Sequence, residues 1–270
     1  MPEAARNRSF PRKRESSRGR LWIPAFAGMS GVSRLLLFIF LLIAPHAALA
    51  QSCPEPLAST RRLVLVTADT FTSTTATVQR FARATPNAPW QADGGPVTAL
   101  IGHKGVGWAH AFRSFARNNE PLKVDGDKRV PVGFYKIGRS FGFSASQRPG
   151  YMRIADGMIC VDDPASPAYN TITARAKVGW KVHGENMWRV PEYRRGLLVD
   201  YPTDAKARAG SCIFIHVRVP GATGTNGCVA LPEPQVAALQ NFAESGAVLA
   251  VLPRQALDRF KGCLPDVVKP

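Results

Sequence analysis

The apolar positions along this chain recur mostly at period two or in short unbroken runs, and both patterns predict β-strands. Arg62 to Thr67 (RLVLVT) is such a run, and Thr75 to Ala82 alternates, with Ala76, Val78 and Phe81 as its apolar positions. Trp90 to Ile101 carries a Gly-Gly-Pro turn followed by an apolar run into Gly102. Within Lys128 to Ile137, Gly133 sits between Pro131 and Phe134, which predicts a bulged strand passing close to something. Tyr151 to Asp163 reads as a hairpin turning at Asp156-Gly157. Gly196 to Tyr201, Ile213 to Ile215, Val229 to Leu231 and Val248 to Leu252 supply further strands, the last ended by Pro253. Helical spacing is good in one place, from Pro234 to Ser245. There Val236, Leu239 and Phe242 share a face, Pro234 suits the first turn and Gly246 the stop. These elements predict one mainly-β domain over residues 51–270.

Chemistry concentrates between Ser211 and Pro232 (SCIFIHVRVPGATGTNGCVALP). One buried strand delivers His216, a loop rich in Gly, Pro and Thr follows, and Gly227-Cys228 opens the next strand. A thiol is nucleophilic as thiolate, and a neighbouring imidazole is a common means of deprotonating it. Gly227 leaves room beside the sulfur for a carbonyl and frees backbone N–H groups to face an oxyanion. The stretch is a candidate Cys/His acyl-transfer site, with Cys228 as nucleophile and His216 as proton acceptor and donor.

His216 followed by Thr225-Asn226-Gly227-Cys228 resembles the L,D-transpeptidase catalytic domain (YkuD-type), whose pattern is a His, a gap, then Ser/Thr-His-Gly-Cys. Val130-Pro131-Val132-Gly133-Phe134-Tyr135 resembles that family's Thr-Pro-x-Gly-x-Phe segment, and the likeness spans most of the chain after about residue 60. Three positions depart from the pattern: Asn226 replaces a His, Val217 a Gly, and Ala230 an Arg. The resemblance implies a β-sandwich or barrel-like catalytic domain with one short C-terminal helix. It also implies a cysteine acyltransferase acting on peptidoglycan stem tetrapeptides without a cofactor. The thioester would pass to an amine or to water. Gly227 would offer its backbone N–H to the oxyanion, and Asn226 would donate where relatives have His. The third group orienting His216 is left open, a backbone carbonyl being one option.

The formal charge of +16 is uneven: residues 1–50 hold eight Lys/Arg against two Asp/Glu, leaving 27 against 17 in the rest. Leu35 to Ile43 (LLLFIFLLI) follows Arg34 and precedes Ala48-Leu49-Ala50, the layout of a signal peptide cleaved after Ala50. An uncleaved anchor is the alternative. Ser9 to Met29 resembles a translated intergenic repeat, so translation is expected to start at Met29. Export to the periplasm follows, with the membrane met only through the signal peptide. All five cysteines lie beyond residue 50, and an oxidising compartment favours disulfides with one thiol left over. If Cys228 is free, the chain-end positions of Cys53 and Cys263 favour joining them, and Cys160 with Cys212 remains. Two other pairings stay open, as do five buried thiols.

Other chemistries fit poorly. Gly102 to Trp108 has the wrong spacing for a phosphate loop, and Asp125-Gly126-Asp127 lacks the further oxygens of a calcium loop. No His/Cys spacing suggests zinc, so no metal is expected. Export and scattered basic residues argue against nucleic acid, and an anionic envelope polymer is the simpler partner for the charge. His46, His103, His110 and His183 read as ordinary histidines. The polar, aromatic stretch 164–195 fits a lid or groove wall in which Arg194 and Trp188 bind substrate, its arginines meeting substrate carboxylates. A surface loop with tryptophan packed inward fits it as well. A non-catalytic wall-binding module is the rival in another class. A papain-like peptidase is disfavoured because it places Cys before His.

Overall fold

The computed structural model describes residues 53–266; the expected signal peptide and start site lie outside them. Fourteen strands are present among these residues. They are β1 (Arg62–Ala68), β2 (Thr75–Ala82), β3 (Gln91–Ala92), β4 (Val97–Leu100), β5 (Val106–Trp108), β6 (Val130–Gly142) and β7 (Met152–Arg153), then β8 (Met158–Val161), β9 (Ile172–Ala174), β10 (Gly184–Asn186), β11 (Arg195–Val199), β12 (Phe214–Val217), β13 (Val229–Leu231) and β14 (Val248–Pro253). The helices are α1 (Arg175–Val178) and α2 (Glu233–Ala243), and four 3-10 turns are also present. The fold is mainly β, and the expected helix is present as α2.

Eight strands close on themselves in the order β1-β14-β6-β11-β12-β13-β4-β2, and β2 pairs back to β1. This closed barrel removes most sheet edges. β3 extends β2, and β5 and β7 flank β6. The apolar runs of β1 and β14 have the signature of strands covered on both faces, and every residue of β14 is buried. β2 alternates between buried and exposed positions because one face meets water. The shortest barrel strands would not hold alone. Each fully buried Val, Leu or Ile removes about 1.5–3 kcal/mol worth of apolar surface from water, and the core contains many.

Gly133 passes close to a neighbour as its sequence position suggests, but its pairing with β14 runs without a bulge. Its φ is +153°, and a Cβ there would lie 2.2 Å from the Phe112 ring. Tyr151–Asp163 does not form the expected hairpin. The turn exists, with Gly157 at φ +79°, but its arms diverge. β7 joins β6 of the large sheet, whereas β8 pairs with β9 and β10 in a separate three-stranded sheet. Residues 158–186 contribute this small sheet. Trp180 at its periphery is 87% exposed, so the inward-packed tryptophan reading fails there.

Candidate active site

Strand periodicity places the candidate pair. On β12, Ile215 and Val217 enter the barrel core, which sends Phe214 and His216 to the opposite face. On β13, Val229 and Leu231 point into the core, which sends Ala230 the other way. The two strands run parallel with His216 opposite Ala230 and Ile215 opposite Val229. Extending this register sets Cys228 beside Phe214. Cys228 and Phe214 therefore share a second apolar cluster with Phe141, Ile154, Cys160, Met187 and Tyr193.

Cys228 is the free cysteine, and it is buried. Cys53 is bonded to Cys263, and Cys160 to Cys212. The second bridge ties β8 to the residues leading into β12, which brings β10 and its Glu185 close to the site. The Cys228 thiol lies between two backbone groups: the Phe214 N–H donates to Sγ at 3.4 Å, and Sγ donates to the Cys212 carbonyl at 3.5 Å. It makes no hydrogen bond to His216. The His216 Nδ1 lies 2.9 Å from the Val217 carbonyl. A carbonyl only accepts, so Nδ1 carries the proton and Nε2 of the neutral ring is the basic nitrogen. The Tyr193 ring stands edge-on to the imidazole at 5.5 Å, and its hydroxyl donates to Glu185 Oε2 at 2.7 Å.

Burial sets the protonation states. It pushes the Cys228 thiol up to about 12, with the Glu185 charge adding to the rise, while the Phe214 N–H and Lys123 pull the other way. Burial lowers the His216 pKa, partly offset by the Val217 carbonyl and Glu192. Burial likewise raises the carboxyl of Glu185. The resting pair is thus a neutral thiol and a neutral imidazole.

The loop before Cys228 is fastened at several points. Thr225 exchanges backbone hydrogen bonds with the 101–103 turn, its N–H to Ile101 O and its carbonyl from His103 N, both at 2.8 Å. Its hydroxyl donates to Cys228 O at 2.6 Å and accepts from Gly227 N at 3.2 Å. The Gly227 N–H, expected to face an oxyanion, rests here on the Thr225 hydroxyl. Glycine is required there for another reason: φ is +137°, and a Cβ would lie 3.1 Å from the Arg129 carbonyl. Gly102 to Trp108 forms a turn between strands, held from below by Arg129 bonded to the carbonyls of Phe71, Lys104 and Val106. Asp125 and Asp127 are more tightly engaged than a solvated turn. Asp125 accepts from Tyr169, and Asp127 from Lys123 Nζ at 2.6 Å.

Cys212, His216, Cys228 and Ala230 line a cleft of about 830 Å³. Charge of both signs lines it, with Asp125, Asp162, Asp163, Glu185 and Glu192 alongside Lys123, Lys128, Arg208 and Arg218. Asn226 is exposed and lines the cleft. His183 also lines it, paired with Asp162. Stretch 164–195 does wall the cleft, but not with its arginines. Arg194 and Trp188 do not line it. Arg194 is held by Glu233 in the first turn of α2 at 2.9 Å and by the Pro191 carbonyl. Trp188 is half-buried against the second cluster, with the Arg189 guanidinium 4.3 Å over its ring. Glu185, Tyr193 and Lys123 were not singled out by sequence reasoning as site residues. Nothing local to their sequence signals it, because β10, a 3-10 turn and the 121–128 segment meet only in the folded chain.

Among the described residues, no group of three or more His, Cys, Asp or Glu could hold a metal ion. Nor is any helix long and apolar enough to cross a membrane. No protein-family model matches the chain, and no curated protein matches it either. Among solved structures, the helical cell shape determining protein Pgp2 from Campylobacter jejuni matches at a TM-score of 0.39 and 16% identity. That alignment covers 73% of this chain and 51% of the other, so this chain spans about half the length of Pgp2. A likeness at that level assigns neither family nor activity.

Proposed function

We propose that this protein is an exported cysteine acyltransferase of the L,D-transpeptidase kind, acting on peptidoglycan stem tetrapeptides in cell-wall biogenesis. One observation carries the reading. The single unbridged cysteine and a histidine with a free Nε2 lie on the same sheet face and line one polar cleft. The two disulfides suit an oxidising compartment such as the periplasm.

In the proposed reaction the Cys228 thiol turns from the Cys212 carbonyl toward His216, and Nε2 accepts its proton. Sγ attacks the carbonyl between the third residue, a diaminopimelate, and the terminal D-Ala. The C–N bond breaks, the leaving amine takes the proton from His216, and a thioester remains on Cys228. An amine of a second stem, or water, then attacks the thioester while His216 again accepts the proton; the C–S bond breaks, and the leaving Cys228 sulfur takes that proton back from His216. The Val217 carbonyl keeps the imidazole in the tautomer this cycle needs.

The test is the intact mass of the chain from Gln51 after incubation with a carbapenem, whose acyl group mimics the donor. One adduct, mapping to Cys228 and absent in Cys228→Ser, is expected. No adduct on a thiol shown to be accessible would favour a wall-binding module. That second reading draws on the thiol resting against backbone instead of imidazole, and on Asn226, Val217 and Ala230.

A further inference from the structure

We infer that Glu185 is a specificity residue of the cleft, binding an ammonium group on the substrate residue that supplies the carbonyl attacked by Cys228. The inference rests on the acyl-transfer reading above. Glu185 sits on β10 opposite Cys160, the half-cystine that ties this sheet to the β12 lead-in. Its carboxylate lines the same cleft as Cys228 and His216. Its one hydrogen-bond partner is the Tyr193 hydroxyl, a neutral donor, and no Lys or Arg of the described residues pairs with it.

That satisfaction is incomplete. An ionised carboxylate offers about four acceptor sites, and a mostly buried charge with no counter-ion is costly. Its neighbours deepen the deficit, because Asp162 and Glu192 add negative charge around it. Asp162, by contrast, has His183 beside it, and what sets Glu185 apart from the remaining cleft acids is its hydrogen-bonded link through Tyr193 to the His216 ring. A cation brought by the substrate would supply what Glu185 lacks. The position makes this useful, since the Glu185 charge is felt at the Cys228 thiol and Tyr193 links Glu185 to the His216 ring. A docked ammonium would offset the negative charge that opposes thiolate formation. Recognition of the substrate and generation of the nucleophile would thereby be coupled. Lysines and arginines also line the cleft, and they would accommodate a carboxylate on the same substrate residue.

The experiment measures binding by calorimetry to the Cys228→Ser protein, which cannot turn over. The ligands are a stem tetrapeptide with a free side-chain amine on its third residue and the same peptide acetylated at that amine. Acetylation is expected to weaken binding about ten- to a hundredfold, the scale of a charge-assisted hydrogen bond. Adding Glu185→Gln, which keeps an acceptor for Tyr193, is expected to erase the difference. Equal affinity for the two peptides, a preference that survives Glu185→Gln, or no binding of either peptide would overturn the inference. The two peptides are compared first with Glu185 intact, so misfolding of the variant cannot mask the result. The carbapenem adduct tests the acyl-transfer reading separately. An adduct without ammonium preference sinks only the Glu185 role. Ammonium preference without an adduct sinks the transferase, and with it the attacked carbonyl named in the inference, and leaves Glu185 as an ammonium-binding residue.

Discussion

A thiol resting between a backbone N–H and a carbonyl reacts differently from one already bonded to an imidazole. Burial and the Glu185 charge keep Cys228 protonated, and burial keeps His216 neutral. The free protein is therefore expected to react with iodoacetamide at a rate that climbs about tenfold per pH unit from roughly pH 6 to 9, without levelling off. Mass spectrometry of Cys228 alkylation against pH checks this, and a plateau beginning below pH 7 would reveal a preformed thiolate–imidazolium pair. Acylation by a carbapenem should in turn fall by about 10²–10⁴ in His216→Ala, the usual contribution of a positioned base. At this scale the sequence was most informative for His216 and Cys228, because two-residue alternation in short strands fixes which face each occupies. It did not foresee the resting partners of Gly227, whose N–H answers to Thr225, or of Arg194, whose charge answers to Glu233. Those partners lie in a loop turn and on a helix, and no periodicity announces them.

Elements decide how the site is walled. The small sheet of β8, β9 and β10 has little core of its own, and the Cys160–Cys212 bridge is its covalent link to the barrel. The bridge also fixes the residue whose carbonyl holds the Cys228 thiol. Replacing both cysteines with alanine is expected to lower stability by about 2–4 kcal/mol and to change the rate of Cys228 acylation. Thermal unfolding and adduct formation measured side by side give the check. A variant with unchanged unfolding temperature and unchanged acylation would show that the bridge supports neither the sheet nor the thiol. Most strands and α2 were legible because they carry their own period and their own stops. The 151–163 segment was not. Its turn chemistry at Asp156-Gly157 is genuine, yet β7 and β8 find partners in different sheets, and pairing is a tertiary outcome that local pattern does not encode.

Across the whole molecule, segments distant in sequence are clamped onto the barrel by few but well-buried polar links. Glu120 accepts from Trp108 Nε1 at 2.8 Å and pairs with Arg259, both side chains being 9% exposed. Arg259 pulls the Glu120 carboxyl down to about 2, below the ordinary value of 4.5. Because the folded value lies below the unfolded one, this stabilisation is complete above about pH 4.5 and is lost as pH falls toward 2. Urea unfolding between pH 5 and 2.5 should therefore show a steeper loss of stability in the native chain than in Glu120→Gln, and parallel curves would discount the link. The barrel was readable from sequence as mainly β, but its closure was not, since that depends on which ends meet. β1 pairs from Leu63 to Ala68 with β14, the last strand, as well as with β2. The ring therefore closes between its first and last strands in sequence, and β1 must wait for β14. Contacts of such long sequence separation slow folding. Until residues 248–253 arrive, β1 keeps an apolar edge open to any passing strand. A ribosome that stalls before that point releases a barrel with its lock missing.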